Sequence, residues 1–326
     1  MPVNPLGTNI ISAQFTQNIS DLRKELMRTA EEATTGRYSD LTAQLSGRIG
    51  SAMLSKQALD NLTLQRESLS IRAGRLDVAQ LTLQTIQSRV QGIDVAMRSA
   101  IGVGSETNQR IAARDAEAAL GVAFNVLSAR FGERYLFSGD ATSTPPLGDP
   151  ADLLSDIRQL ADASATAADF EAALDTYFNT PGGGWQSSIY AGSANVSDPD
   201  SVTATDPALT ELIRGLTVMA LADPATQPAV FSQDPSIIIT AAETTFGGIG
   251  SLTSLRSNLG VIQERISNQQ KTLDIEETIF TSAFNALTAR DQYEAASALK
   301  QLESSLEASY MLTSRLSSLS LLNYLR

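Results

Sequence analysis

The chain has 326 residues and a formal net charge of −12, with 42% hydrophobic, 18% charged and only 6% aromatic residues. It contains neither His nor Cys, which excludes imidazole bases, thiol nucleophiles and the ordinary zinc or copper ligand sets. The acidic balance argues against nucleic acid, which selects basic patches, and supplies no basic helix for an anionic membrane.

The first twenty residues, MPVNPLGTNIISAQFTQNIS, hold no charged region and no long apolar stretch. A cleaved secretory signal is therefore not expected. No run of 18 apolar residues occurs, so no membrane-spanning helix is expected. Phe15, Ile19, Leu22, Leu26 and Ala33 then follow a helical spacing among Ser, Thr, Gln and charged residues. This predicts a thin amphipathic helix that is marginal alone, because helix stability comes mostly from tertiary packing.

From Leu62 the apolar residues recur every seven: Leu62, Leu69, Leu76, Leu83, Val90 and Met97, with Ile86 and Ile93 beside them. Five heptads of this kind predict a packing seam of a bundle or coiled coil. After GVGSETN a second helix is predicted, with Ile111, Leu120, Phe124, Leu127 and Phe131 on its buried side. FGERYLFSGDATSTPP follows, an aromatic knot closed by two prolines.

Nine of the 11 prolines lie from Pro145 to Pro235, and residues 6–144 and 236–326 hold none. Interior proline breaks helices, so the flanks are free to be long helices and the middle is built differently. Residues 140–250 carry 15 acidic and two basic side chains, so the acidity of the chain belongs to its middle. There, residues 149–178 predict one or two short helices. TPGGGWQSSIYAGSANVSDPDSVTA predicts turns with short strands. Asp206 and Pro207 predict a capped helix start.

PGGGW lacks the following basic helix of a phosphate loop and reads as a turn. Asp198, Asp200 and Asp206 lack the spacing of an EF-hand. The remaining carboxylates read as a solvated acidic surface before they read as a hydrolytic pair. Beyond the middle, Leu259, Ile266, Leu273, Phe280 and Leu287 repeat the seven-residue spacing. Leu302, Leu306, Leu312, Leu316, Leu319 and Leu322 form the last single stripe. No catalytic, cofactor-binding or metal site is predicted, and no enzyme activity is expected.

Three motifs carry a family likeness. TTGRYSD, residues 34–40, resembles the turn that ends the first helix of flagellins and their relatives. GERYLFSGDATSTPPL, residues 132–147, is similar to the signature of the flagellar hook-associated protein 3 family. The tail LEASYMLTSRLSSLSLLNYLR resembles the terminal helix of that family. The likeness covers both flanks, over half of the chain, although the acidic pair that often follows the first turn is missing from YSDLTAQLSG.

The likeness implies a mainly α fold: an elongated helical bundle or coiled-coil rod from both chain ends, with a small α+β middle domain. Residues 1–40 and 291–326 would be terminal helices, disordered until assembled. Residues 41–139 with 250–290 would form the rod, and 140–249 a small outward-facing domain. Gly132, Tyr135, Phe137 and Gly139 would form the hinge between rod and domain. The apolar stripes at Phe15, Ile19, Leu22, Leu26 and from Leu302 to Leu322 would be the assembly interface.

The implied role is structural, at the junction of flagellar hook and filament, after secretion without a cleaved signal. The implied partners are the hook-side junction protein, flagellin, an export chaperone and copies of the chain in a ring. Flagellin itself is the nearest alternative, and a wall-degrading enzyme on a structural scaffold the next.

Overall fold

The computed structural model describes residues 5–324 apart from 42–44 and 46, and side chains between residues 13 and 315. The fold is mainly α. In chain order the helices are α1 (Pro5–Thr35), α2 (Ile49–Val90), α3 (Ile93–Val103), α4 (Glu106–Leu127), α5 (Pro150–Ala163), α6 (Ala167–Asn179), α7 (Pro207–Ala220), α8 (Ala229–Gln233), α9 (Ser236–Thr288) and α10 (Gln292–Tyr324), with a π-helical turn at Trp185–Ile189. β1 (Arg130–Phe131) and β2 (Arg134–Tyr135) make a small antiparallel ladder, with Arg130 opposite Tyr135. The chain divides into two compact units, Met1–Arg66 with Thr272–Arg326, and Glu67–Lys271.

In the first unit α1 packs along α10. The two run antiparallel: Gly36 at the end of α1 lies against Gln292 at the start of α10, and Arg23 meets Tyr310 further along. Phe15, Ile19, Leu22, Leu26, Leu302 and Leu306 are only half-buried. Ala52, Leu62 and Leu273 are buried. Arg66 pairs with both Asp274 and Glu277, and these two carboxylates hold its guanidinium pKa above the ordinary value.

The second unit has one continuous core that contains Leu76, Leu83, Ile86, Val90, Met97, Leu120, Trp185, Leu212, Leu259 and Ile266. The heptad residues of α2 are thus buried, with Leu69 packed against the core from a half-buried position. Polar side chains line the same seam. Gln80 Nε2 donates to the Arg256 carbonyl at 2.7 Å, and Gln87 Nε2 to Thr253 Oγ1 at 2.9 Å. Gln263 Nε2 donates to Asp77 at 2.7 Å. These pairs keep one antiparallel register between α2 and α9, as flanking polar positions do in coiled coils.

Two features of the flanks differ from the sequence reading. The seam is interrupted at Gly92, whose φ of 88° ends α2 and lets α3 start. On α4 the buried side is Ala112, Ala113, Ala116, Ala119, Leu120, Ala123, Phe124 and Leu127. Ile111 is 55% exposed, and Phe131 lies in β1 beyond the end of the helix. The small alanine side chains let a neighbour approach closely, and that packing places Ile111 on the opposite side.

Residues 140–249, set apart in sequence by proline and charge, share this core. Their short helices start as capping rules demand. Asp149 accepts from Ala151 N at 2.8 Å before Pro150, Thr166 from Asp169 N at 3.2 Å, and Asp206 from Ala208 N at 2.9 Å before Pro207. α7 is buried on nearly all sides and packs on α4, as expected of an all-round apolar helix. Strand content here is slight. Between the described residues 181 and 205 there is the π turn and a single bridge residue, Tyr190, opposite Leu147. The turn inserts Trp185 into the core, where it stacks on Phe178 at 5.6 Å. Ring burial is favoured there over a ladder.

Candidate functional site: the paired chain ends and the aromatic turn

Among the described residues no group of acidic side chains is arranged to hold a metal ion, and no helix is long and apolar enough to cross a membrane. Several acidic residues of the middle are instead engaged structurally. Asp198 pairs with Arg75 at 2.7 Å, and Asp200 accepts from Arg72 Nε at 3.0 Å. Glu171 and Asp175 share Arg214, and Asp156 accepts from the Tyr177 hydroxyl at 2.7 Å. The features that remain are two turns, one in each unit.

The first turn follows α1. Gly36, at φ 67°, takes the left-handed conformation that ends helices and returns its N–H to the Glu32 carbonyl at 2.8 Å. The chain then forms an antiparallel bridge with the segment between α9 and α10. Tyr38 N donates to the Thr288 carbonyl at 3.1 Å, and Arg290 N to the Gly36 carbonyl at 2.9 Å.

Side chains close around this bridge. Glu32, 4% exposed, forms an ion pair with Arg290, itself 15% exposed. Glu32 Oε1 accepts from Ser39 N at 2.9 Å, and Oε2 faces the Arg290 guanidinium. The Arg290 guanidinium also lies 5.5 Å over the Tyr38 ring. Arg37 donates to Asn285 at 3.1 Å and covers Phe284. Thr29, Thr288 and Ala295 are buried around them. Residues about 250 positions apart in sequence are thereby clamped together.

The second turn is the aromatic knot. α4 ends at Leu127, before the knot begins. Gly132, at φ 60°, opens the two-residue connection between β1 and β2, where a II′ turn places glycine. Tyr135 is half-buried beneath the Arg130 guanidinium, at 4.9 Å. Phe137 is fully buried in the core. Its carbonyl accepts from Ala204 N at 3.0 Å, and the Ser138 carbonyl accepts from Ser193 N at 2.9 Å. Asp140 N donates to the Asn195 carbonyl at 3.0 Å, and the Asp140 carboxylate accepts from Ser197 N at 2.8 Å. Gly139, at φ 60°, sits so close that a Cβ would overlap the Ser193 carbonyl and come within 2.8 Å of the Asn195 carbonyl. Residues 137–140 are therefore sewn to residues 193–204, and Arg72 and Arg75 tie that segment to α2.

Of the residues singled out from sequence, Gly132, Tyr135, Phe137 and Gly139 share the second turn. Phe15, Ile19, Leu22, Leu26, Leu302 and Leu306 belong to the paired terminal helices. Leu312 is 52% exposed. The side chains of Leu316, Leu319 and Leu322 lie outside the described residues. Glu32 and Arg290 escaped the sequence reading, because isolated charges on polar helices look solvent-facing. The one available signal was the proximity of Glu32 to the TTGRYSD turn.

Residues 245–325 match the bacterial flagellin C-terminal helical region. No curated protein sequence matches the chain. Two solved structures are similar in part. The crystal structure of Bacillus cereus FlgL shares 13% identity at a TM-score of 0.49, over 71% of this chain and 98% of that one. A putative flagellar hook-associated protein from Vibrio parahaemolyticus shares 13% identity at a TM-score of 0.25, over 84% of this chain and 97% of that one. Likenesses this slight transfer nothing to the present chain. The C-terminal quarter of the chain, comprising α9 from residue 245 onward and all of α10, is similar to that flagellin region.

Proposed function

We propose that this chain is a structural component of the bacterial flagellum, placed at the junction of hook and filament and built into it through its terminal helices. The flagellin-like C-terminal region carries this reading. Two features support it. The apolar side chains of the α1–α10 pair stay half-buried within one chain, which leaves surface for neighbouring subunits. Within the matched region Phe246, Val261, Ile275 and Ile279 are between 55% and 63% exposed, a cost that association relieves.

In this reading the free chain is ordered at the clamp, and its ends become fully ordered on assembly. Copies of the chain form a short ring between a hook-side junction protein and flagellin, and an export chaperone shields the apolar C-terminal helix before secretion. The role requires no catalytic group.

The same match also favours a second reading, that the chain is flagellin itself. Gene deletion separates the two. The junction reading expects intact hooks without filaments and abundant flagellin shed into the medium. Filaments that stay attached would refute it. Hooks with no other flagellin in the medium would favour the filament-subunit reading.

Leu302→Asp with Leu306→Asp tests the interface. Burying each Leu is worth about 1.5–3 kcal/mol, and an unpaired buried carboxylate adds a further cost. The variant is expected to be secreted but not incorporated, as scored by blotting of sheared flagella against medium.

A further inference from the structure

The apolar stripes of α1 and α10 do not themselves define how far one helix is shifted along the other. Phe15, Ile19, Leu22 and Leu26 repeat at three and four residues with Ala33 seven further on, as Leu302 and Leu306 do on α10 with the small Ser309 before Leu312. A slide of seven residues presents a similar stripe to a similar stripe. The backbone bridge at Arg37 and Ala289 carries no residue identity, because any two residues exchange the same bonds. Arg23 and Tyr310, hydrogen-bonded at 2.7 Å, meet at the exposed surface, where water competes. Glu32 differs from all of these. It is a charge on α1 almost removed from water, and Arg290 is the cation that meets it.

We infer that the buried Glu32–Arg290 pair fixes the register in which the two chain ends combine, and so the stagger that each subunit offers to its neighbours. The second half of the inference rests on the assembly reading above; the first does not. A slipped pairing leaves the Glu32 carboxylate and the Arg290 guanidinium buried without each other, which low-dielectric surroundings penalise. Single buried polar residues set register in coiled coils in the same manner, at some expense of stability. The residue types suit the task. Arg290 also lies over Tyr38, and Glu32 also accepts from Ser39 N, so both partners are oriented by the turn that follows α1.

The absence of Cys from the chain allows spin labels to be placed at will. Labels at Thr34→Cys and Glu303→Cys, both exposed positions, report the stagger of α1 on α10 by pulsed electron resonance on the purified full chain. The native pair should give one distance. Glu32→Leu with Arg290→Leu should keep its helix content, since apolar replacement of a buried ion pair preserves stability. It should add a second distance, displaced by up to about 10 Å, since a seven-residue slip at about 1.5 Å per residue moves one label that far along the helix axis. Glu32→Arg with Arg290→Glu should restore a single distance.

A single unchanged distance in the double-Leu variant overturns the inference. So does loss of pairing in that variant, because the pair would then act through stability and not register. A charge swap that keeps the second distance of the double-Leu variant also overturns it. None of these outcomes touches the hook–filament reading, which the deletion experiment tests separately.

Discussion

Gly139 concentrates the local demands of the aromatic turn. Its positive φ disfavours any side chain, and the carbonyls of residues 193 and 195 occupy the space a Cβ would take. Gly139→Ala should destabilise the second unit by about 1–3 kcal/mol, the usual cost of a strained backbone position, and lower its melting temperature measurably by calorimetry. Two tyrosines make a second residue-scale prediction. Burial, and then the hydrogen bond to Asp156, push the Tyr177 hydroxyl pKa far up. Burial raises that of Tyr190 to about 12. Both raised values mean that folding holds the proton. Their contribution to stability is complete below the ordinary tyrosine pKa of about 10 and is lost as pH rises through the folded values. A tyrosinate absorbance titration should show Tyr177 and Tyr190 ionising late, together with unfolding. Tyr177→Phe should remove one of these late steps. Ionisation of Tyr177 and Tyr190 near the ordinary tyrosine value would contradict their burial.

At the scale of elements, α4 shows what periodicity carries and what it misses. Leu120, Phe124 and Leu127 were legible as its buried side because large apolar residues dominate a stripe. The alanines at 112, 113, 116, 119 and 123 were not. Alanine is common on helices for its propensity alone, so its burial leaves little trace in sequence, and the spacing drew Ile111 to the wrong face. Ala116 is fully buried, so Ala116→Leu should overpack the core and cost about 1–3 kcal/mol. Ile111→Ser should change stability by under about 0.5 kcal/mol. Chemical denaturation followed by the fluorescence of Trp185, the sole tryptophan, reads both. The capped start at Asp206 and Pro207 was the other legible feature, since an Asp before a Pro states its own geometry. The π turn was not legible: its glycines signalled a turn, but only packing decides that Trp185 swings inward.

On the scale of the whole molecule, composition divides the sequence more sharply than packing divides the structure. Proline and charge set residues 140–249 apart, yet Trp185, Leu212 and Phe231 lie in one core with Leu83 and Leu120. Composition reports where a chain turns and how it faces water. It does not report which apolar surfaces meet. Replacing residues 148–235 with a short Gly/Ser linker should therefore abolish the cooperative melting of the second unit, because the buried face of α4 loses its cover. A deletion variant that keeps the native transition would contradict a shared core. In the first unit, the sequence displayed the apolar stripes and the TTGRYSD turn, but not the ion pair that holds them. A charge pair between residues 32 and 290 becomes visible only when the ends are brought together.

The location of the protein tests the central claim most directly. Gold-labelled antibody against the chain, applied to intact flagella, should mark a single spot where filament meets hook. Label along the whole filament would transfer the chain to the filament-subunit reading, and flagella without label anywhere would contradict a structural role in the organelle.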